Sequence, residues 1–283
     1  MAAKPKIAIV GPGRLGATLA LELSRHGYHV SKIISRDRPQ SLRQARELAR
    51  KIQARATTIR GPSLDADLIW LCVPDRATAG AAQELASATS WKGKIVFHSS
   101  GALDSGELSA LKDRGAAVAS VHPFMTFVRG AAPSLRGVPF GVEGDARALR
   151  LAGRIIRDFG GEIMAIPKTR KVAYHAWGTF ASPLFLALLV TAEQVARSAG
   201  LRRAVVRRKM LPIVRQTLEN YAKLGPAGAF SGPIVRGDVA IVRQHLRVLR
   251  KIPEALELYK ALARAAMRYL PARNRQELAK ILP

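Results

Sequence analysis

Three glycines carry the sharpest chemical signal in the chain. Gly11, Gly13 and Gly16 stand at the spacing Gly-x-Gly-x-x-Gly, directly after the apolar run Ile7-Ala8-Ile9-Val10. A helical pattern follows at once, with Leu15, Leu19 and Leu23 on one face. Strand, glycine turn and helix in that order form a cradle for a pyrophosphate. In this reading Gly11 permits the tight turn and Gly13 lets a phosphate approach the backbone. Arg14 and Leu15 open the helix, and Gly16 lets it pack on the strand. The free amides at the start of the helix then face the anion.

A second group of residues bears on which dinucleotide would sit there. About 20 residues beyond the glycines, NAD-binding chains place an acid that takes the ribose 2′-hydroxyl. Here that stretch reads Ile34-Ser35-Arg36-Asp37-Arg38. The Ser35 hydroxyl and the Arg36 guanidinium suit a 2′-phosphate, which arginine holds through a fork of donors. NADP is the expected cofactor, while Asp37 keeps NAD open. The two arginines also fit plain loop charges on a basic protein.

Proton chemistry has its own candidates. Lys171, His175, Gly178, Thr179 and Ser182 recur at intervals of three and four, so they share one face of an otherwise apolar helix. A polar stripe on such a helix needs partners in another element or in a ligand. His175 can give a proton to a carbonyl oxygen near neutral pH, and Lys171 can if its pKa is lowered. The plainer alternatives are a core histidine bonded to a carbonyl and a surface charge at the helix entry. His122 ends one apolar run and His98-Ser99-Ser100 ends another. In open parallel sheets ligands bind beyond such strand ends, so these groups face one crevice. Ser99 and Ser100 can bond a nicotinamide amide or a substrate carboxylate, or serve as turn and cap residues. In the loop from Ser231 to Asp238, Arg236 can hold a carboxylate bidentately, and Asp238 fits the N-cap of the next helix. No metal site is expected, because the histidines lack carboxylate or cysteine companions at ligand spacing.

The elements that must position these groups change character along the chain. Apolar runs at 7–10, 30–34, 68–73, 95–97 and 117–121 alternate with helical patterns at 15–25, 40–50, 78–88 and 105–113. This alternation predicts a parallel sheet with crossover helices. A run at 138–142, a helix at 145–159 and a run at 162–166 extend the same unit. Helices then follow almost throughout, at 170–198, 202–223, 239–250, 253–269 and 273–282, with a break at Gly225-Pro226-Ala227-Gly228. The expected fold is α/β, a Rossmann-type doubly wound sheet over 1–167, followed by an all-α domain over 168–283. The cleft between the two is the expected place for a small anionic substrate.

Composition narrows the setting. The single cysteine, Cys72, rules out a disulfide within the chain and reads as a small core residue in mid-strand. No signal peptide is visible, so a reducing, cytoplasmic setting is expected. The apolar stretch 173–192 contains His175, Ser182 and Pro183, which favours a buried core helix over a membrane span. The net charge of +26 raises nucleic acid as a partner. However, the densest basic cluster (Arg202, Arg203, Arg207, Arg208 and Lys209) has no interleaved aromatics, so a solvated basic surface is expected instead.

Several motifs resemble those of a known group. Leu71-Cys72-Val73-Pro74-Asp75 at a strand end resembles the nicotinamide-dependent group that includes 6-phosphogluconate dehydrogenase, ketopantoate reductase, pyrroline-5-carboxylate reductase and prephenate dehydrogenase. Four longer segments are similar to a bacterial family of Rossmann-like oxidoreductases with a C-terminal helical domain of unknown function. They are Phe97 to Leu103, Ser120 to Phe127, Tyr174-His175-Ala176, and Phe230 to Asp238. The resemblance spans nearly the whole chain. It implies Val73 and Pro74 as cofactor neighbours, and His175 or Lys171 as the group presented to a substrate carbonyl. Ser182, Ser231 and Arg236 become substrate contacts, and a homodimer is implied. The implied activity is hydride transfer between NADP and a small carboxylate-bearing carbonyl, alcohol or imine. One departure stands out: Pro183 follows Phe180-Ala181-Ser182 where the family pattern has asparagine. That departure leaves open an NADP-binding sensor without turnover.

Overall fold

All four residues of the first strand are buried, as a central parallel strand covered on both faces requires. Its side chains divide by parity. Ile7 and Ile9 enter one core with Leu19 and Leu23, while Ala8 and Val10 enter the other. The same period of two splits Trp70 from Ile69 and Leu71, and Phe97 from Val96, between those cores. Each large side chain so buried contributes about 1.5–3 kcal/mol.

The computed structural model describes residues 3–59, 64–128 and 133–282. The first elements are β1 (Ile7–Val10), α1 (Arg14–Arg25), β2 (Val30–Ser35), α2 (Pro39–Lys51), β3 (Arg55–Thr58) and β4 (Leu68–Leu71). They are followed by α3 (Thr78–Ala86), β5 (Ile95–His98), α4 (Ser109–Lys112), β6 (Ala117–Pro123), β7 (Pro139–Gly144), α5 (Ala146–Asp158) and β8 (Glu162–Ala165). The strands form one sheet in the order β3-β2-β1-β4-β5-β6-β7-β8. The order reverses between β1 and β4, the switch point where open α/β sheets bind ligands.

Two features differ from the expectation of a wholly parallel sheet. Strand β3 is additional: Arg55-Ala56-Thr57-Thr58 pairs with Lys32–Ser35 at the edge. It is too short and too polar to stand out from its surroundings. Strand β7 runs antiparallel to β6, with His122 opposite Gly141. No helix among the described residues separates these strands, so the chain returns directly rather than through a crossover.

The chain divides into two compact units, Met1–Thr179 and Phe180–Pro283. Helix α6 (Lys171–Thr179) belongs to the first by its packing. The second unit holds α7 (Phe185–Ser198), α8 (Arg203–Ala229), α9 (Pro233–Arg236), α10 (Val239–Leu249), α11 (Pro253–Tyr269) and α12 (Arg275–Ile281). Pro183 lies in a wider π-helical turn, Phe180–Leu184, which absorbs its missing N–H. Gly225 (φ 69°, ψ 177°) kinks α8 where a break was expected. Asp238 caps α10 by accepting from the Ile241 N–H at 3.2 Å.

The stretch 173–192 is not the buried core helix expected from its composition. Helix α7 has no buried residue, and Leu186 and Val190 are exposed although α8 and α11 pack against it. A helix apolar on all sides needs neighbours on all sides, and two helices cover only part of it. By length and composition alone the helical run Lys168–Ser198 is long enough to cross a membrane.

The junction of β1 and α1 is the tightest point of the first unit. A Cβ on Gly16 would lie 2.0 Å from the Gly11 carbonyl oxygen, and one on Gly11 would lie 2.5 Å from that of Cys72. Gly11 also holds φ at +103°, a conformation L side chains avoid. Gly16→Ala should therefore lower the free energy of unfolding by at least roughly 1–3 kcal/mol, the usual cost of overpacking. The check is urea denaturation; an unchanged midpoint would remove this close approach as a structural requirement.

Candidate functional site

The C-terminal ends of β1, β2 and β4 open into a cavity of about 690 Å³. Gly11, Pro12 and Gly13 form one side, Ser35, Arg36 and Asp37 another, and Cys72, Val73 and Pro74 a third. Of the residues expected at the cofactor, Gly11, Gly13, Ser35, Arg36, Val73 and Pro74 are thus brought together. Gly13 is the N-cap of α1 and offers no side-chain cap, so the first amides of the helix remain available. A Cβ added at Gly13 would meet nothing within 4 Å, so its backbone faces open space. The first turn of α1 carries no acid to repel an anion. These features fit a phosphate-bearing group at the helix start. Arg14 is exposed, Leu15 packs on the core and Gly16 is buried. These three support the turn without lining the cavity.

Arg36 is exposed at the rim, while Ser35 is buried and donates its hydroxyl to the Arg36 carbonyl at 3.1 Å. Ser41 and Gln44 of α2, and Thr58 and Ile59 around β3, also line this side. None of these four was found from the sequence; the β-branched run Thr57-Thr58-Ile59 is the signal that would have located the last two. Cys72 lies just past β4 rather than in mid-strand, with its N–H on the Val10 carbonyl at 2.7 Å. Burial pushes its thiol up to about 12, which removes it as a nucleophile at neutral pH.

One and two strands along the same edge from β4, at the ends of β5 and β6 and about 5 to 10 Å away, lies a second cluster. Residues 98–103 turn sharply after β5. Ser100 Oγ accepts from the Ala102 and Leu103 amides at 3.2 and 2.9 Å. Ser99 Oγ accepts from Trp70 Nε1 at 2.7 Å. His98 is part of the same turn. Its Nδ1 accepts from the Ser100 N–H at 3.1 Å, which leaves Nε2–H to donate to the Asp104 carbonyl at 3.0 Å. Burial depresses this imidazole to about 4.

Lys171 is not the surface charge its position at a helix entry suggested. It is 1% exposed, and its Nζ donates to the Ser100 carbonyl at 3.1 Å and to Ser120 Oγ at 2.8 Å. The first turn of α6 packs directly on the ends of β5 and β6, and that packing buries the side chain. Desolvation lowers its pKa to about 8, against partial compensation from Glu143, Asp104 and Asp75.

His122 and His175 converge over this turn, their ring centroids 6.4 Å apart. A Cβ on Gly101 would fall 2.7 Å from His175 Cδ2 and 2.9 Å from His122 Nε2. Only glycine allows the backbone to pass so close to both rings. His122 Nδ1 pairs with the Tyr174 hydroxyl at 2.8 Å. Burial and the nearby Lys171 depress His122 to about 3, so it is neutral near pH 7. His175 is exposed and takes no hydrogen bond from its ring among the described residues. Ser182, Ser231 and Arg236 belong to the second unit, where Ser231 and Arg236 are exposed. Tyr174 and Gly101 stood within recognised motifs, but nothing in their spacing showed what they touch.

A doubly wound sheet with a glycine turn at its switch point, followed by helices, defines a dinucleotide-fold protein of two units. Residues 1–123 match the model of the Rossmann-like domain, and residues 138–266 match that of a domain of unknown function, DUF2520. No curated protein sequence matches the chain. Among solved structures, one from Bacteroides fragilis, described as a candidate NADP oxidoreductase, is 23% identical with a TM-score of 0.76, covering 93% of this chain and 97% of the other. A protein from Thermotoga maritima is 24% identical with a TM-score of 0.73, covering 98% of this chain and 100% of the other. A reductive aminase from Aspergillus terreus, solved with NADPH, is 16% identical with a TM-score of 0.65, covering 99% and 100%. At these identities the likeness establishes the fold.

The buried lysine gives this region a pH signature. Between pH about 8 and 10.5 the unfolded chain still holds the Lys171 proton that the folded chain has released. Unfolding then takes up a proton, so this group makes stability rise with pH across that window. Lys171→Met should remove that rise, as read from urea midpoints at successive pH values. Identical slopes in the two proteins would place the Lys171 ammonium in water.

Proposed function

We propose that the chain is an NADP-dependent oxidoreductase acting on a small carboxylate-bearing carbonyl, alcohol or imine. One observation carries this reading: Gly11 and Gly13, the open start of α1, Ser35 and Arg36 all line one cavity at the strand-order reversal. The similar structures described with NADP or NADPH support it. A bound nicotinamide supplies hydride at its C4 position. The chain's own part is to hold and orient. In this reading the α1 amides hold the pyrophosphate and Arg36 holds the 2′-phosphate, with the Ser35 hydroxyl joining by turning away from the Arg36 carbonyl. Asp37 is the residue that would turn the preference toward NAD.

Beyond the cofactor, His175 is the proton donor of choice in this reading: it is exposed, its ring nitrogens have no hydrogen-bond partner among the described residues, and it stands beside His122. Lys171 Nζ is held inside the protein by Ser100 and Ser120, so it supports the turn that carries Ser99 and Ser100. Arg236, exposed at the end of α9, offers a guanidinium to a carboxylate. The uncovered apolar side of α7 supports pairing of two copies through the helical unit.

NADPH should bind more tightly than NADH, and Arg36→Ala should weaken NADPH by roughly tenfold or more, the worth of a lost charge-assisted bond, while leaving NADH nearly unchanged. Equal affinities in the unaltered protein would defeat the NADP assignment. With NADPH bound, a panel of 2-oxo acids and imino acids should reveal turnover that His175→Ala lowers. Oxidation by no member of the panel would favour the sensor reading that Pro183 keeps open. Sedimentation should show a dimer that Leu186→Glu with Val190→Glu converts to a monomer; a monomeric unaltered protein would overturn the pairing.

A further inference from the structure

The oxidoreductase reading leaves open whether the group entering the proton-transfer cluster is a carbonyl-type oxygen or a protonated imine nitrogen. The hydrogen bonds around His122 bear on this choice. Tyr174 is 5% exposed, and burial pushes its phenol up to about 12, so it keeps its proton. That buried hydroxyl needs an acceptor. Among the described residues the oxygen's hydrogen-bond partner is His122 Nδ1, at 2.8 Å. A Cβ on Gly141 would stand 2.6 Å from the phenol oxygen, so β7 is cut away at this point to seat it. The Tyr174 O–H therefore donates to Nδ1. A neutral imidazole whose Nδ1 accepts must carry its hydrogen on Nε2.

Nε2 is the atom that faces Gly101 beside the His175 ring. It has no hydrogen-bond partner among the described residues, and it is not among the sealed, unsatisfied atoms. The groups whose charge reaches His122 are Lys171, His175 and His98, all cationic when protonated. The carboxylates of Glu143, Asp104 and Asp75 act at Lys171, and Glu143 is held by the Ser105 amide and hydroxyl.

We propose that Tyr174 is a positioning residue that fixes His122 as the Nε2–H tautomer, so that a ligand reaching Nε2 beside His175 meets a donor, which favours a carbonyl or carboxylate oxygen over a protonated iminium. This rests on the oxidoreductase reading for its purpose but not for its geometry. A donor N–H there rewards an acceptor, whereas a cationic N–H in the same place would meet another donor near the Lys171 ammonium. A 2-oxo acid can accept from this N–H, and a cyclic iminium cannot.

The test is ¹⁵N-histidine NMR on the full chain without cofactor, so its outcome is independent of whether NADPH binds or turns over. At pH 7 His122 should show an unprotonated Nδ1 and a protonated Nε2, and Tyr174→Phe should convert this to a mixture of tautomers. Oxalate, an unreactive relative of 2-oxo acids, should shift the His122 Nε2 resonance, while pyrrolidinium should leave it in place. Oxalate should bind more weakly to Tyr174→Phe in proportion to the Nε2–H tautomer lost, roughly twofold for an even mixture. A protonated Nδ1 in the unaltered protein overturns the proposal. So does the absence of any oxalate shift at His122, a pyrrolidinium shift at the same resonance, or undiminished oxalate binding by Tyr174→Phe. Should that variant fail to fold, the tautomer and the two titrations on the unaltered protein decide the matter alone.

Discussion

The first unit depends on one close approach of backbone to backbone. At the junction of β1 and α1 the Gly11 carbonyl, the Gly16 Cα and the Cys72 carbonyl meet with no room for a side chain. This contact lets α1 start at the edge of the sheet with its amides directed beyond the strand ends. The cavity follows from it: β2 and β4 flank β1, so Ser35 and Val73 arrive on either side of the same opening. Were α1 held further off, the helix start and the rim residues would no longer address one ligand.

A similar economy of space governs the neighbouring cluster. Gly101 and Gly141 remove the atoms that would keep His122, His175 and Tyr174 apart. Lys171 then ties α6 to the turn after β5 through Ser100 and to β6 through Ser120. The polar groups that look catalytic in the sequence thus divide into two kinds. His98, Ser99, Ser100 and Lys171 have their hydrogen bonds satisfied inside the protein. Among the described residues, the His175 ring and the Nε2 of His122 have no such partner.

The second unit is held differently. Its small core joins Val242, Ala263, Leu278 and Leu282. Much of its apolar surface stays exposed, on α7 as well as at Ile213, Leu218 and Leu224 of α8.

The sequence by itself determined the order of strands and helices, the glycine turn, the helix entered at Asp238 and the basic rim after β2. These are local: a period of two or 3.6, a turn residue or a cap expresses itself within a few positions. Strand β3 was lost because four residues without an apolar pattern do not outweigh their surroundings. Only the tertiary structure decided the rest. It turned β7 antiparallel and buried Lys171, which its neighbours in sequence place at a surface. It left the apolar helix uncovered, and it set Tyr174 against His122 across 52 positions of chain. Burial and hydrogen-bond partnership depend on what other elements bring to the same point, and no window of sequence contains that information.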